Sequence, residues 1–265
     1  MAFNILHMTP LVSGSGVAPP FNPATDIPGI NVWQDAADPA TIVLSGSDIT
    51  KWINKAPGGT DFTVQVASPT YATNVQNGLN CVNFSNASAI QTLGTNTSPL
   101  FTSTVGFFAA FVLSPITDNL NLCFNVNNEL GTQITGFGLS NNSAYGNLLM
   151  AFSDGTNAGF TAVTPNGFDG DLLNKFNTFM FTYDGSGLST TNPGGFGIYF
   201  NGVPLTLTLP LGVGPQPGNN AIGGWGVNGN RTNGYFAEAI FANIPATPTI
   251  ITNTQAYYKN KWATP

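Results

Sequence analysis

The clearest signals in the chain are short alternations of apolar and polar positions. Phe179, Phe181 and Tyr183 point to one face, with Met180 and Thr182 on the other; Phe196, Ile198 and Phe200 alternate with Gly197 and Tyr199. Leu205, Leu207 and Leu209 alternate with Thr206 and Thr208. A period of two is that of a strand. Asn201-Gly202 separates two such runs, and both residue types tolerate the positive φ of a type I′ turn, so the spacing predicts a hairpin. Further strands are predicted at 31–34, 62–66, 79–84, 105–113, 120–126, 148–152 and 235–242, with Asn, Gly and Asp recurring between them. Many short strands at such spacing predict an all-β, antiparallel two-sheet jelly-roll sandwich.

One segment has a helical period instead. Thr247 and Pro248 form a cap and first-turn pair, after which Ile250, Ile251, Thr254, Tyr257, Tyr258 and Trp262 fall near one face. Lys259 and Lys261 sit where they complement the negative end of the helix dipole. A short C-terminal helix packed on the sandwich is expected. Residues 1–29 have no periodicity. They carry Pro10, Pro19, Pro20, Pro23 and Pro28 and the run Ser13-Gly14-Ser15-Gly16, the composition of an extended arm. The expected organisation is therefore an arm over 1–29 and one jelly-roll domain over 30–265.

Composition narrows the function classes. The chain has 265 residues with 6 Lys+Arg, 12 Asp+Glu and a net charge of −6. Six cations leave no electrostatic footprint for nucleic acid. The charged fraction of 7% beside 42% hydrophobic residues is the reverse of intrinsic disorder and far from a coiled coil. The most apolar run, 105–113, is half the ~20 residues of a membrane span, so no membrane partner is expected. Cys81 and Cys123 lie in strand-like segments and read as buried free thiols; a disulfide would require an oxidising compartment that nothing else implies.

Catalytic chemistry is sparse. The single histidine is His7, in the arm, which removes Ser-His-Asp and Cys-His machinery from the domain. One His and two distant Cys make no structural zinc site. Only Glu129 and Glu238 are glutamates, and neither shares its strand with another acid two or four residues away, so the carboxylate pair of a glycosidase is not visible. Asp169 and Asp171 read as solvated turn acids. Hence no catalytic residues and no cofactor are expected. Calcium, which takes several oxygen ligands, has weak candidates in Asp118, Asn119 and Asn121 and in Asp154 and Asn157. The stretch with Trp225, Asn228, Asn230 and Arg231 combines an aromatic with polar groups as a sugar site does; its alternative reading is a loop whose Trp anchors to the core.

Several motifs fall in a familiar order. Trp33-Gln34-Asp35-Ala36-Ala37-Asp38 leads into Trp52-Ile53-Asn54-Lys55; Thr182-Tyr183-Asp184-Gly185 precedes Tyr199-Phe200-Asn201-Gly202; Phe236-Ala237-Glu238-Ala239-Ile240-Phe241 precedes Tyr257-Tyr258-Lys259-Asn260-Lys261-Trp262. Together they resemble the concanavalin A-like, laminin-G-type jelly rolls of bacteriophage and marine viral structural proteins, over about residues 30–263. The resemblance implies two antiparallel sheets, one curved, with a loop rim that binds glycans or calcium or serves as a contact surface. The Glu-x-Asp-x-Glu pattern of the family's enzymes is missing. The expectation is a non-enzymatic virion structural protein, a capsid decoration (cement) or fibre-type component on the capsid or tail surface. Its arm, through Phe3, Ile5, Leu6, Leu11, Val12, Pro19, Pro20 and Phe21, would dock on the major capsid protein or another virion protein, and the chain would self-associate as a homotrimer. The alternative is a carbohydrate-binding, lectin-like adhesion module for host-surface glycans.

Overall fold

The computed structural model describes residues 20–64, 67–85, 92–95, 106–116, 121–127, 134–140, 147–152, 160–163, 173–185, 195–205, 220–223 and 233–265. Among the described residues its elements are a short helix α1 (Pro23–Asp26), a single 3-10 turn (Pro39–Thr41), seventeen strands and a long helix α2 (Pro248–Trp262). All described strand pairs are antiparallel, as in the expected two-sheet sandwich.

Strand β8 (Phe107–Pro115) shows how the layers are built. All nine of its residues are buried. Phe107, Ala109, Phe111 and Leu113 enter one core cluster, Phe108, Ala110 and Val112 a second. A run without polar alternation means a strand covered on both faces. Around β8 the first sheet runs from β15 (Val203–Pro204) through β14 (Phe196–Phe200) and β13 (Asn177–Tyr183) to β8 and β17 (Gly234–Ala242). Beyond β17 lie β1 (Ile30–Asp35) and β6 (Leu79–Phe84), with β5 (Thr70–Gln76) outside β6.

The second sheet runs β2 (Ile42–Ser45), β3 (Asp48–Trp52), β4 (Phe62–Val64), β7 (Thr92–Thr95) and β16 (Asn220–Gly223). It continues through β9 (Asn121–Asn127), β10 (Ile134–Ser140), β11 (Asn147–Phe152) and β12 (Phe160–Val163). Among the described residues a single bridge, Asp48 to Thr70, joins the two sheets at one corner. Phe107, Phe111, Phe181, Phe236 and Phe241 pack with Trp52 and Phe62 in the core on one face of the first sheet.

Helix α2 covers the opposite face. Thr247 Oγ1 accepts from Ile250 N at 3.2 Å and Pro248 opens the first turn, as the sequence predicts. Ile250, Thr254, Tyr258 and Trp262, spaced by four, are its buried side. The predicted hairpin is present too: Asn201 and Gly202 have φ of 49° and 79°. Leu205 follows β15 without continuing it, and 206–209 lie outside the described residues.

The expected extended arm differs over its described part. Asn22 Oδ1 accepts from Ala24 N, Pro23 takes the first helical position, and α1 forms. Ile27 and Ile30 then enter the helix-side core. Burial of Pro23 and Ile27 and the contact of Phe21 with Tyr257 show the described stretch 20–29 packed against the sandwich rather than extended from it. Residues 1–19 lie outside the described residues.

Candidate functional site

Most residues that the sequence singled out lie outside the described residues. These are Phe3, Ile5, Leu6, Leu11, Val12, Pro19, Trp225, Asn228, Asn230, Arg231, Asp118, Asn119, Asp154 and Asn157. Asn121 opens β9 opposite Leu139. Pro20 is exposed. Phe21 packs its ring 5.7 Å from that of Tyr257 on α2, so its described contact is within its own chain. Among the described residues no three His, Cys, Asp or Glu come together in a metal-binding group. Cys81 is a free, buried thiol, pushed up to about 12 by burial.

What the fold does bring together is a pair of carboxylates. Asp35 on β1 and Glu238 on β17 are opposite one another in the ladder. A bulge at Ala237 is the reason Glu238 faces the helix: the register between β17 and β8 steps from Phe236 to Glu238. Phe236 and Ala239 point into the inter-sheet core, while Ala237 points to the helix side. Strict alternation would have sent Glu238 inward with Phe236; the extra residue re-aims it.

Glu238 is fully buried and accepts four hydrogen bonds. Trp33 Nε1 and Tyr257 Oη donate to Oε1 at 2.7 and 2.9 Å; Trp262 Nε1 and Lys261 Nζ donate to Oε2, both at 2.7 Å. Lys261 Nζ also donates to Asp35 Oδ1 at 2.7 Å. Lys55 Nζ holds Asp35 Oδ2 and Asp38 Oδ2, each at 3.0 Å, and lies 4.3 Å over the Trp33 ring. Burial, then the Asp35 charge, push the Glu238 carboxyl up, and Lys261 and Trp262 oppose them. Tyr257 is pushed well above the ordinary phenol range by burial and by Glu238. The Lys55 hydrogen bond holds Asp38 below the usual carboxylate value of 3.8.

These groups come from the quoted motifs at 33–38, 52–55, 236–241 and 257–262. In a chain with only 7% charged residues, charges set among aromatics are the signal that could have linked them. Lys261 therefore does more than complement the helix dipole: it ties α2 to β1 and β17. With Glu238 sealed by four donors, the pair has no open face for a substrate.

An open cleft of about 710 Å³ lies on the helix side of the first sheet, near the end of α2. Its lining includes Gln76, Ser114, Asn174, Lys175, Phe176 and Tyr235. Phe176 and Tyr235 stack with ring centroids 6.2 Å apart and planes 26° apart, giving a continuous aromatic wall. Each wall is positioned locally. Tyr235 is paired with Ser114 across the ladder, and Gly234 before it approaches the Ser114 carbonyl where any Cβ would collide. Asn174, at φ 58°, donates its N–H to Pro115 O at 2.7 Å, which sets Lys175 and Phe176 at the rim. Gln76 Nε2 donates to Trp262 O at 2.6 Å, fixing the far wall. Ile116, itself a cleft residue, donates its N–H to the Asn233 carbonyl at 2.8 Å. Stacked rings beside amides, a hydroxyl and a cation suit a polar ligand with apolar faces, and the volume falls within the ~300–1,000 Å³ of small-ligand sites.

No family model and no curated protein matches the chain. Solved structures do. The binding domain of botulinum neurotoxin serotype D aligns with a TM-score of 0.56 at 12% identity, over 92% of this chain and 56% of that one. The binding domain of Paraclostridial Mosquitocidal Protein 1 aligns at 0.53 and 12%, over 89% and 55%. Domain 4 of AbnA, a GH43 extracellular arabinanase from Geobacillus stearothermophilus, in complex with arabinotriose, aligns at 0.50 and 11%, over 84% and 97%. The chain thus spans about half the length of the two toxin domains and nearly all of the arabinanase domain. Two of these structures are binding domains and the third is a domain solved with arabinotriose, and none of them ties the chain to a phage. The chain has the fold of a concanavalin A-like sandwich closed by a C-terminal helix.

Proposed function

We propose that this chain is a non-catalytic carbohydrate-binding module, and that the cleft walled by Phe176 and Tyr235 is its saccharide site. The observation that carries this reading is the stacked aromatic wall bordered by Gln76, Ser114, Asn174 and Lys175. Aromatic faces take the C–H faces of a pyranose, and the amides and hydroxyl take its hydroxyl groups. The likeness to a solved domain in complex with arabinotriose supports the same ligand class. Single sites of this kind are weak and gain avidity in multiple copies. A glycan array with the full chain tests the reading: selective binding that falls in Tyr235→Ala supports it, and no binding with or without calcium contradicts it.

A second reading is a virion decoration or fibre component whose residues 1–19 dock on a capsid or tail protein. It is favoured by the order of the quoted motifs, which resembles viral structural jelly rolls. Since Ile27 is core, the informative truncation removes 1–19, not 1–29. The truncated chain is expected to fold, to lose its trimeric state in sedimentation and to fail to join particles. Unchanged assembly would overturn this reading.

A further inference from the structure

The charge cluster under α2 has the layout of a condensation site, and the sealed Glu238 is the group within it that the binding function leaves unused. We propose that Lys261 and Asp35 join in an intramolecular amide bond, with Glu238 moving the protons and Lys55 holding the carboxyl oxygen.

The reacting groups are already in place. Lys261 Nζ lies 2.7 Å from Asp35 Oδ1, one bond from Cγ, and 2.7 Å from Glu238 Oε2. The Asp35 carboxyl is fixed at both oxygens, by Ala37 N at 3.1 Å on Oδ1 and by Lys55 Nζ at 3.0 Å on Oδ2. Such prior alignment replaces the entropy cost of a bimolecular encounter. Trp33, Tyr257 and Trp262 wall the site, leaving Asp35 6% and Glu238 0% exposed. Burial also pushes the Glu238 carboxyl up, as a group that takes and returns a proton needs.

The step balances without any co-reactant. Lys261 passes a proton to Glu238 Oε2, and its freed lone pair attacks Asp35 Cγ, forming the C–N bond. The carboxyl π electrons move to Oδ2, opposite the Lys55 ammonium, which stabilises the negative charge. Glu238 delivers that proton to Oδ1, takes a second proton from the nitrogen and delivers it as well. The Cγ–Oδ1 bond breaks, water leaves, and the carbonyl re-forms on Oδ2. One ammonium and one carboxylate are consumed; one amide and one water are formed; Glu238 ends as it began. Lys261, 19% exposed, borders the route by which the water departs. The product ties the first strand of the sandwich to its last helix and closes the chain between them into a ring, which constrains the unfolded state as any cross-link does.

Intact-mass measurement of the purified, folded full chain tests the proposal. The expected mass is about 18 Da, one water, below that of the sequence. Digestion is expected to give a branched peptide, stable to reducing agent, that joins the Asp35 and Lys261 segments. Lys261→Arg and Glu238→Gln, each checked for folding by circular dichroism, are expected at full sequence mass. A folded wild-type chain at its full mass overturns the proposal. So does a loss that persists in Lys261→Arg, which would mark dehydration at another residue.

Discussion

Glu238 shows what a single residue carries in this fold. Four donors converge on its fully buried carboxylate. Glu238→Ala leaves the Lys261 ammonium, two indole N–H groups and a phenol short of their acceptor. A loss of about 3–5 kcal/mol is expected, the range for breaking a buried charge pair from one side, read as a lower urea midpoint. A loss under ~1 kcal/mol would mean that water replaces the carboxylate. Cys81 gives a second prediction, in pH. Its folded value of about 12 lies above the ordinary 9.0. Between those values the unfolded chain ionises while the folded one stays protonated, so stability falls as pH rises above about 9. Cys81→Ala flattens that fall between pH 9 and 10, and an unchanged slope would assign it to other groups. Buried Tyr258, raised in the same direction, steepens the fall above pH 10. At the acid end the sign reverses: Asp38, lowered by Lys55, gives stability that is lost as pH falls below about 3.8. The Asp35–Glu238 pair was hidden from sequence because it spans two strands far apart in the chain and depends on a bulge. Counting acids at i+2 and i+4 along one strand cannot reveal a cross-strand pair.

At the scale of elements, the readable segments were those whose pattern one local rule explains. The 79–84 strand appears with the expected bounds, and the helix starts at the expected Thr247 cap and runs Pro248–Trp262. The apolar run at 105–113 is a strand buried on both faces, shifted to 107–115. Strand β5, TYATNVQ, went unread because it lies outside β6, with no buried residue to mark an inward face. Strand β10, ITGFGLS, carries two glycines where side chains would have shown the period. Within the expected arm of 1–29, the prolines mask a short capped helix and the buried Ile27, which pack 20–29 against the sandwich. The helix cap is a direct element-scale test. Thr247→Ala removes the acceptor for Ile250 N and is expected to cost about 1 kcal/mol. Thr247→Asp, which restores an acceptor, should recover most of it. Equal stability in the alanine variant would mean that packing of Tyr258 and Trp262 alone holds the helix end.

At the scale of the molecule, the low charge acquires a structural meaning. Of the lysines, Lys55 and Lys261 are committed to the cluster that fastens α2 to the sheet, and Lys51 pairs with Asp61 at 3.4 Å. Lys175 stands at the cleft, where the proposed ligand would meet it. The cleft was not legible in the sequence: it is assembled from the ends of β5, β8 and β17, the turn before β13 and the residues after α2, and no two of these walls are neighbours in the chain. Titration of the full chain with an oligosaccharide selected on a glycan array, in parallel with Phe176→Ala and Tyr235→Ala, tests the account most directly. Each variant is expected to keep the wild-type circular dichroism spectrum and to bind about thirty-fold more weakly, a loss on the order of 2 kcal/mol for a truncated aromatic contact. Undiminished binding in both folded variants would contradict the assignment of the cleft as the saccharide site.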